Sequence, residues 1–262
     1  MNNGRDRIIY KNLCENLGNV PTEDQASALE KIASYITDNS TGEIFLLTGY
    51  AGTGKTSVIS SVVRTLDRLR MKSVLLAPTG RAAKVLASHA GKQAFTIHRK
   101  IYRQKSLKDG TGSFVLDRNL SRNTYFIVDE SSMISNTASE SSVFGSGSLL
   151  DDLLEYVYSG TDCRLILVGD NAQLPPVGSV VSPALDRMVL EGYGFGIIAA
   201  ELRHVVRQSE SSGVLMNATN IRLQVSEGRL DHPLLDCRNY KDVVRISGEN
   251  LIEELSDSYG AC

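Results

Sequence analysis

The chain has 262 residues, 42% hydrophobic and 22% charged, with a net charge of −2. That make-up suits one large globular domain or two small ones and excludes a disordered or fibrous chain. No apolar run is long enough to span a bilayer, and Met1-Asn2-Asn3-Gly4-Arg5-Asp6-Arg7 lacks the apolar core of a signal peptide, so a cytoplasmic protein without a membrane partner is expected. Overall charge gives no argument for nucleic acid. Cys14, Cys163, Cys237 and Cys262 form no C-x-x-C pair and read as reduced thiols. His89, His98, His204 and His232 are equally dispersed, which speaks against a metal cluster built by the protein alone.

In chain order, residues 21–37 predict a helix. Thr22 is its N-cap, and Gln25 three residues later completes a capping box. Residues 43–48 then form a short apolar run that reads as a buried strand. Thr48-Gly49-Tyr50-Ala51-Gly52-Thr53-Gly54-Lys55-Thr56 follows it and fits G-x-x-x-x-G-K-[ST]. From Ser57 to Leu66 apolar residues recur on one helix face. Strand, glycine loop and helix N-terminus together aim backbone N–H groups and a dipole at one point, which is an anion site. Within it, Lys55 reaches the β- and γ-phosphates and Thr56 holds Mg²⁺.

Further continuous apolar runs occupy 73–77, 124–128 and 164–168, with helical patterns between them. Runs of that kind suit parallel strands covered on both faces, so the expected class is α/β with a doubly wound parallel sheet. A small hairpin turning at Asp109-Gly110 is expected within the insert 104–122. The serine- and glycine-rich stretch 131–148 reads as a mobile loop. Near the end, 242–246 reads as a strand and 249–259 as an amphipathic helix with Leu251, Ile252, Leu255 and Tyr259 on one face.

Asp129 and Glu130 close the 124–128 strand, about 75 residues beyond the P-loop. Asp129 suits the Mg²⁺ shell and Glu130 the polarising of an attacking water. The second acid favours hydrolysis and disfavours a small-molecule kinase, which must exclude activated water. Gln173, in Gly169-Asp170-Asn171-Ala172-Gln173-Leu174-Pro175-Pro176, is placed to contact the γ-phosphate or that water. Arg207 is a candidate arginine finger, although its local sequence alone better suits a surface helix arginine.

Taken together, these strings resemble superfamily 1 DNA helicases of the RecD/Dda-like branch. The match runs from Gln25 through the P-loop to Ala77-Pro78-Thr79-Gly80-Arg81-Ala82-Ala83 and Thr96-Ile97-His98. It continues with Val128-Asp129-Glu130-Ser131-Ser132-Met133, the Gly169 string and Val206-Arg207-Gln208. The resemblance implies a RecA-like P-loop NTPase lobe over 1–200, with the 104–122 insert as a strand-separating pin. It also implies that 201–262 opens a second, truncated lobe, so that weak hydrolysis and no unwinding are expected. By the same resemblance Gln25 reads adenine, and Gly49, Tyr50, Ala51, Gly52, Thr53, Gly54, Lys55, Thr56 and Ser57 hold ATP·Mg²⁺. Lys55, Glu130, Gln173 and Arg207 are then catalytic, with Thr56 and Asp129 at the metal.

Pro78, Thr79, Arg81, Thr96, His98 and Arg99 are implied to track single-stranded DNA, and movement is implied to run 5′ to 3′. Independently of the family, the basic residues Arg99, Lys100, Arg103, Lys105 and Lys108 flank Tyr102, a mix that suits a single-strand track or equally a solvated charged face. Proteins of recombination or repair are the implied partners. The rival class is a P-loop ATPase that switches a protein partner in transposition or conjugation. It leaves Thr96-Ile97-His98 and its basic flank without a role.

Overall fold

A computed structural model describes residues 4–38, 40, 42–105, 113–137, 143–205, 212–229, 232 and 234–260. Two compact units follow one another, Met1–Val206 and Arg207–Cys262. In the first, helices α1 (Gly4–Leu17) and α2 (Glu23–Thr37) precede β1 (Glu43–Gly49) and α3 (Lys55–Arg68). Then come β2 (Lys72–Ala77), α4 (Gly80–Ala90), β3 (Ala94–Thr96), α5 (Ile97–Ile101), β4 (Tyr102–Gln104), β5 (Phe114–Leu116) and β6 (Thr124–Val128). Helix α6 (Leu149–Ser159), β7 (Arg164–Gly169), α7 (Arg187–Gly192) and β8 (Gly196–Leu202) complete it.

Six strands form one sheet in the order β3-β2-β6-β7-β1-β8, and every pairing within it is parallel. The apolar runs are continuous because each strand feeds two cores. Phe45 and Leu47 of β1 face one cluster with α1, α2 and α3, while Ile44 and Leu46 face another with α5 and α6. Ile127 and Phe126 of β6 divide in the same way. Each fully buried side chain of this kind contributes about 1.5–3 kcal/mol, which fixes the register far more firmly than strand propensity does. Helix α2 starts as its sequence dictates: Thr22 accepts from Gln25 N and the Gln25 side chain accepts from Thr22 N.

Several expectations change. Strand β8, unread in the sequence, pairs with β1 from Glu43↔Gly196 to Gly49↔Leu202, so residue 200 falls inside the sheet. Helix α1 was likewise unread; its Ile9 and Leu13 are buried. The hairpin begins at Tyr102, with Tyr102↔Leu116 and Gln104↔Phe114 antiparallel; its turn at Asp109-Gly110 lies outside the described residues. The stretch 131–148 contains a 3-10 turn at Ser131–Met133 and a strap in which Phe114 N donates to Val143 O at 2.8 Å and Gly145 N to Phe114 O at 2.9 Å.

In the second unit, α8 (Gly213–Ser226) is capped by Ser212 and tied to Asp242, which accepts from Ser212 Oγ and Gly213 N, both at 2.8 Å. Residues 242–246 are not a strand; they have no ladder among the described residues, and Val244 is 72% exposed. A single extended segment gains nothing without a paired edge. Helix α9 (Leu251–Gly260) forms, with Leu251, Ile252 and Leu255 exposed. Among the described residues no helix is long and apolar enough to cross a membrane.

Candidate functional site

Because all six strands are parallel, their carboxyl ends share one edge, and the connections leaving that edge carry every described sequence-predicted site residue except Gln25. The glycine loop leaves β1, Asp170 leaves β7, and Asp129-Glu130 leave β6. The pairings Thr48↔Gly169 and Leu167↔Val128 bring these tips level. One strand separates β1 from β6, so the acids stand about 10 Å along the edge from the loop.

Gly52 and Gly54 adopt φ of 80° and 87°, a region that side chains disfavour. Gly54 caps α3 with no side-chain bond, and the first turn holds no acid, so the N–H groups around Lys55, Thr56 and Ser57 point to an anion without a competing carboxylate. Gly49 has no room for a side chain, since a Cβ there would lie 2.8 Å from Leu202 O and from Thr53 Oγ1. The loop is braced from within: Thr53 Oγ1 donates to Tyr50 O at 2.8 Å, and Gln25 Nε2 donates to Thr53 O at 3.1 Å. Gln25 therefore both caps its helix and touches the loop. Lys55 Nζ donates to Gly49 O at 2.7 Å and Tyr50 O at 2.9 Å, and lies 3.9 Å from Asp170 Oδ2. Asp170 is 4% exposed, and its other oxygen accepts from Ala172 N. Sequence reading passed it over, having taken its string for Gln173; an acid directly after a buried strand was the available signal.

Asp129 N donates to Leu76 O, holding β6 beside β2. Burial pushes the Asp129 carboxyl up to about 6; the neighbouring Glu130 charge adds to this, while the Glu130 N–H, Lys55 and His89 oppose it. A buried acid of this kind, with a lysine and a second acid near it, suits a divalent cation, which supplies the missing positive charge. Glu130 takes φ 55°, uncommon for a non-glycine residue. Ser132 Oγ, in the turn just beyond, donates to Gln173 Oε1 at 2.8 Å, so the β6 and β7 tips are linked. Arg207 lies outside the described residues.

Farther along the edge, Pro78-Thr79 leave β2 and Thr96-Ile97-His98 leave β3. Thr79 and Thr96 cap α4 and α5 by accepting from Ala82 N and Arg99 N. Arg81 and Arg99 are exposed, and the Arg99 guanidinium stands 5.9 Å from the Phe95 ring. Tyr102 corrects an expectation. It is 8% exposed with its hydroxyl 2.5 Å from Asp152 Oδ2, so it offers no face for a base to stack on. Its ring joins His98, Phe114 and Phe144 in one cluster, with His98 to Phe144 at 4.9 Å and Phe114 to Phe144 at 4.6 Å. Burial lowers the His98 pKa.

A family model described as an AAA domain matches residues 21–234. The chain belongs to this AAA-domain family. The AAA domain is 32% identical over 162 residues to the ATP-dependent RecD2 DNA helicase of Deinococcus radiodurans, covering 60% of this chain and 18% of that protein. It is 31% identical over 204 residues to an uncharacterized protein of Acanthamoeba polyphaga mimivirus, covering 69% and 38%. With the conjugal transfer protein TraA of Rhizobium radiobacter it shares 27% identity over 235 residues, 89% of this chain and 17% of that one. The chain thus spans less than two-fifths of these curated relatives. The Pif1 helicase of Candida albicans superposes with a TM-score of 0.51 at 20% identity, covering 93% of this chain and 55% of that chain, which shows a shared fold. The AAA domain is a helicase-like P-loop ATPase domain, and its resemblance to the superfamily 1 RecD/Dda-like branch stands.

Proposed function

We propose that the AAA domain binds ATP·Mg²⁺ and single-stranded DNA and couples ATP hydrolysis to 5′-to-3′ movement and strand separation. One observation carries this reading: Lys55, Asp170 and Asp129-Glu130 occupy the tips of three neighbouring strands, and Thr79 and Thr96 with exposed arginines occupy the next two. The loop N–H groups and Lys55 hold the phosphates, Thr56 and Asp129 hold the metal, and Gln25 meets the adenine. ATP bound there supplies the phosphoanhydride whose cleavage drives movement. Glu130 takes the proton from the attacking water, Gln173 orients that water, and Arg207 meets the charge that develops on the phosphoryl group. Pro78, Thr79, Arg81, Thr96, His98 and Arg99 line the strand path. Asp170 holds Lys55 toward the loop.

Titration with a fluorescent ATP analogue and with labelled oligo-dT, followed by steady-state turnover, tests the proposal. Lys55→Ala weakens nucleotide binding by about ten-fold or more. Glu130→Gln binds normally and loses about 100-fold in turnover. Turnover that rises with oligo-dT supports the translocase. Turnover indifferent to DNA, with nucleotide binding intact, supports instead a switch acting on a protein partner.

A further inference from the structure

The phosphate loop is held at two points by two different elements. At its start Gly49 pairs with Leu202 in the last register position of β1 and β8, where a Cβ on Gly49 would lie 2.8 Å from Leu202 O. Farther on, Thr53 O accepts from Gln25 Nε2 at 3.1 Å, which ties the loop to the start of α2. Each holder is the end of its element, and element ends fray unless something fastens them.

Asp24 fastens the two holders to each other. Its Oδ2 accepts from the backbone N–H groups of both Arg203 and His204, the latter at 2.8 Å, just as the chain leaves β8. Its Oδ1 accepts from Thr22 Oγ1 at 2.5 Å and from Gln25 N at 3.2 Å, and lies 3.1 Å from His204 Nδ1. Burial works against the charge, but the bonds from Thr22, His204 and Arg203 outweigh it and hold Asp24 well below the usual carboxylate range. Helix capping does not call for all of this. Thr22 and Gln25 already form the capping box of α2, so the contacts to residues 203 and 204 are surplus to helix formation. They close a ring instead, from Gly49 through Leu202 and His204 to Asp24 and back through Gln25 and Thr53, all within the first compact unit.

We propose that Asp24 is a positioning residue for the triphosphate: by joining the exit of β8 to the start of α2 it keeps the phosphate loop in its binding shape. This rests on the reading of that loop as the nucleotide site. A loop already in its bound shape loses less of the binding energy to ordering. Opening the ring therefore weakens any ligand that carries the triphosphate, whatever its base.

The test sets ATP and inorganic tripolyphosphate, both with Mg²⁺, in competition against a fluorescent ATP analogue. The proteins are the parent, Asp24→Asn, Gln25→Ala, the Asp24→Asn/Gln25→Ala pair and Asp6→Asn. Asparagine keeps the shape of Asp24 and removes only the charge and one acceptor, so the variant folds. Asp6, buried where it accepts from Thr37 Oγ1 near the other end of α2, controls for lost stability. Asp24→Asn weakens ATP and tripolyphosphate equally, by about ten-fold, and raises the ATP KM as much with kcat within about two-fold. Its Arg203 and His204 amides exchange about ten-fold faster, as does the Thr53 amide that donates to Tyr50 O, and saturating ATP restores the Thr53 rate. The double variant binds tripolyphosphate no more weakly than Gln25→Ala, because a ring opened twice is no looser than one opened once.

A loss confined to ATP overturns the proposal, since Asp24 then serves only the base through Gln25. Unchanged exchange at 203 and 204 overturns it, and so do additive losses in the double variant. An equal loss in Asp6→Asn overturns it as well, because stability alone then explains the effect. A parent that binds neither ligand sinks the nucleotide reading together with the proposal, whereas a parent that binds both while Asp24→Asn binds them as tightly sinks the proposal alone.

Discussion

Asp129 and Glu130 sit side by side at a buried strand end, where ionising the first is opposed by burial and by the second. With its folded value near 6 against an ordinary 3.8, Asp129 keeps a proton in the native state that the unfolded chain has already released. Native stability therefore falls as pH rises from about 4 to about 6, by up to roughly 3 kcal/mol, and stays lower above that window. In buffer with a chelator, Asp129→Asn should melt several degrees above the parent at pH 7.5 and together with it at pH 4. A variant that melts at or below the parent at pH 7.5 would contradict this account of the acid. At this scale the P-loop and the paired acids were legible because their chemistry requires fixed residue types at fixed spacing. Asp170 was not, since its contact with Lys55 joins residues far apart in sequence.

Among the elements, the hairpin β4–β5 has only three residues per strand, too short to persist alone. It is held by the 143–145 strap and by the Tyr102, Phe114, Phe144 and His98 rings, while Tyr102 is tied to Asp152 of α6. Gly145 is needed at the strap, where a Cβ would sit 1.9 Å from Asp152 Oδ2. Phe144→Ala should cost about 1–3 kcal/mol and speed amide exchange at 102–104 and 114–116 while leaving nucleotide affinity unchanged. Exchange unaltered at those six residues would mean that the strap does not hold the hairpin.

The strands read correctly were those covered on both faces, where an unbroken apolar run leaves little choice. Strand β8 was missed although Gly196-Ile197-Ile198-Ala199-Ala200 is apolar, because an edge strand is only half buried and its run resembles a loop lining. The Val243-Val244-Arg245-Ile246 stretch erred the other way: its residues favour strands, and among the described residues no neighbouring ladder makes them one. Phe144 was hidden in a serine-rich stretch whose composition outweighed its single aromatic ring.

For the molecule as a whole, sheet order separates the tasks. From β1 to β3 is four strand spacings, about 19 Å along the edge, which sets the phosphate loop apart from the far end of the proposed DNA path, while the acids on β6 adjoin β2. Arg81→Ala with Arg99→Ala should weaken oligo-dT binding and lower the slope of log affinity against log salt by roughly 1, with ATP affinity unchanged. A parallel loss of ATP affinity would show that the two ends are not separate. Between the phosphate loop and β2 lie β6 and β7, which carry the paired acids and Gln173 and whose tips are joined by the Ser132–Gln173 hydrogen bond. If events at one ligand are felt by the other, that bond lies on the route, and thermodynamic reciprocity requires the influence to be equal in both directions. Ser132→Ala should then leave each ligand bound as tightly as before when present alone, yet erase the difference that either makes to the other.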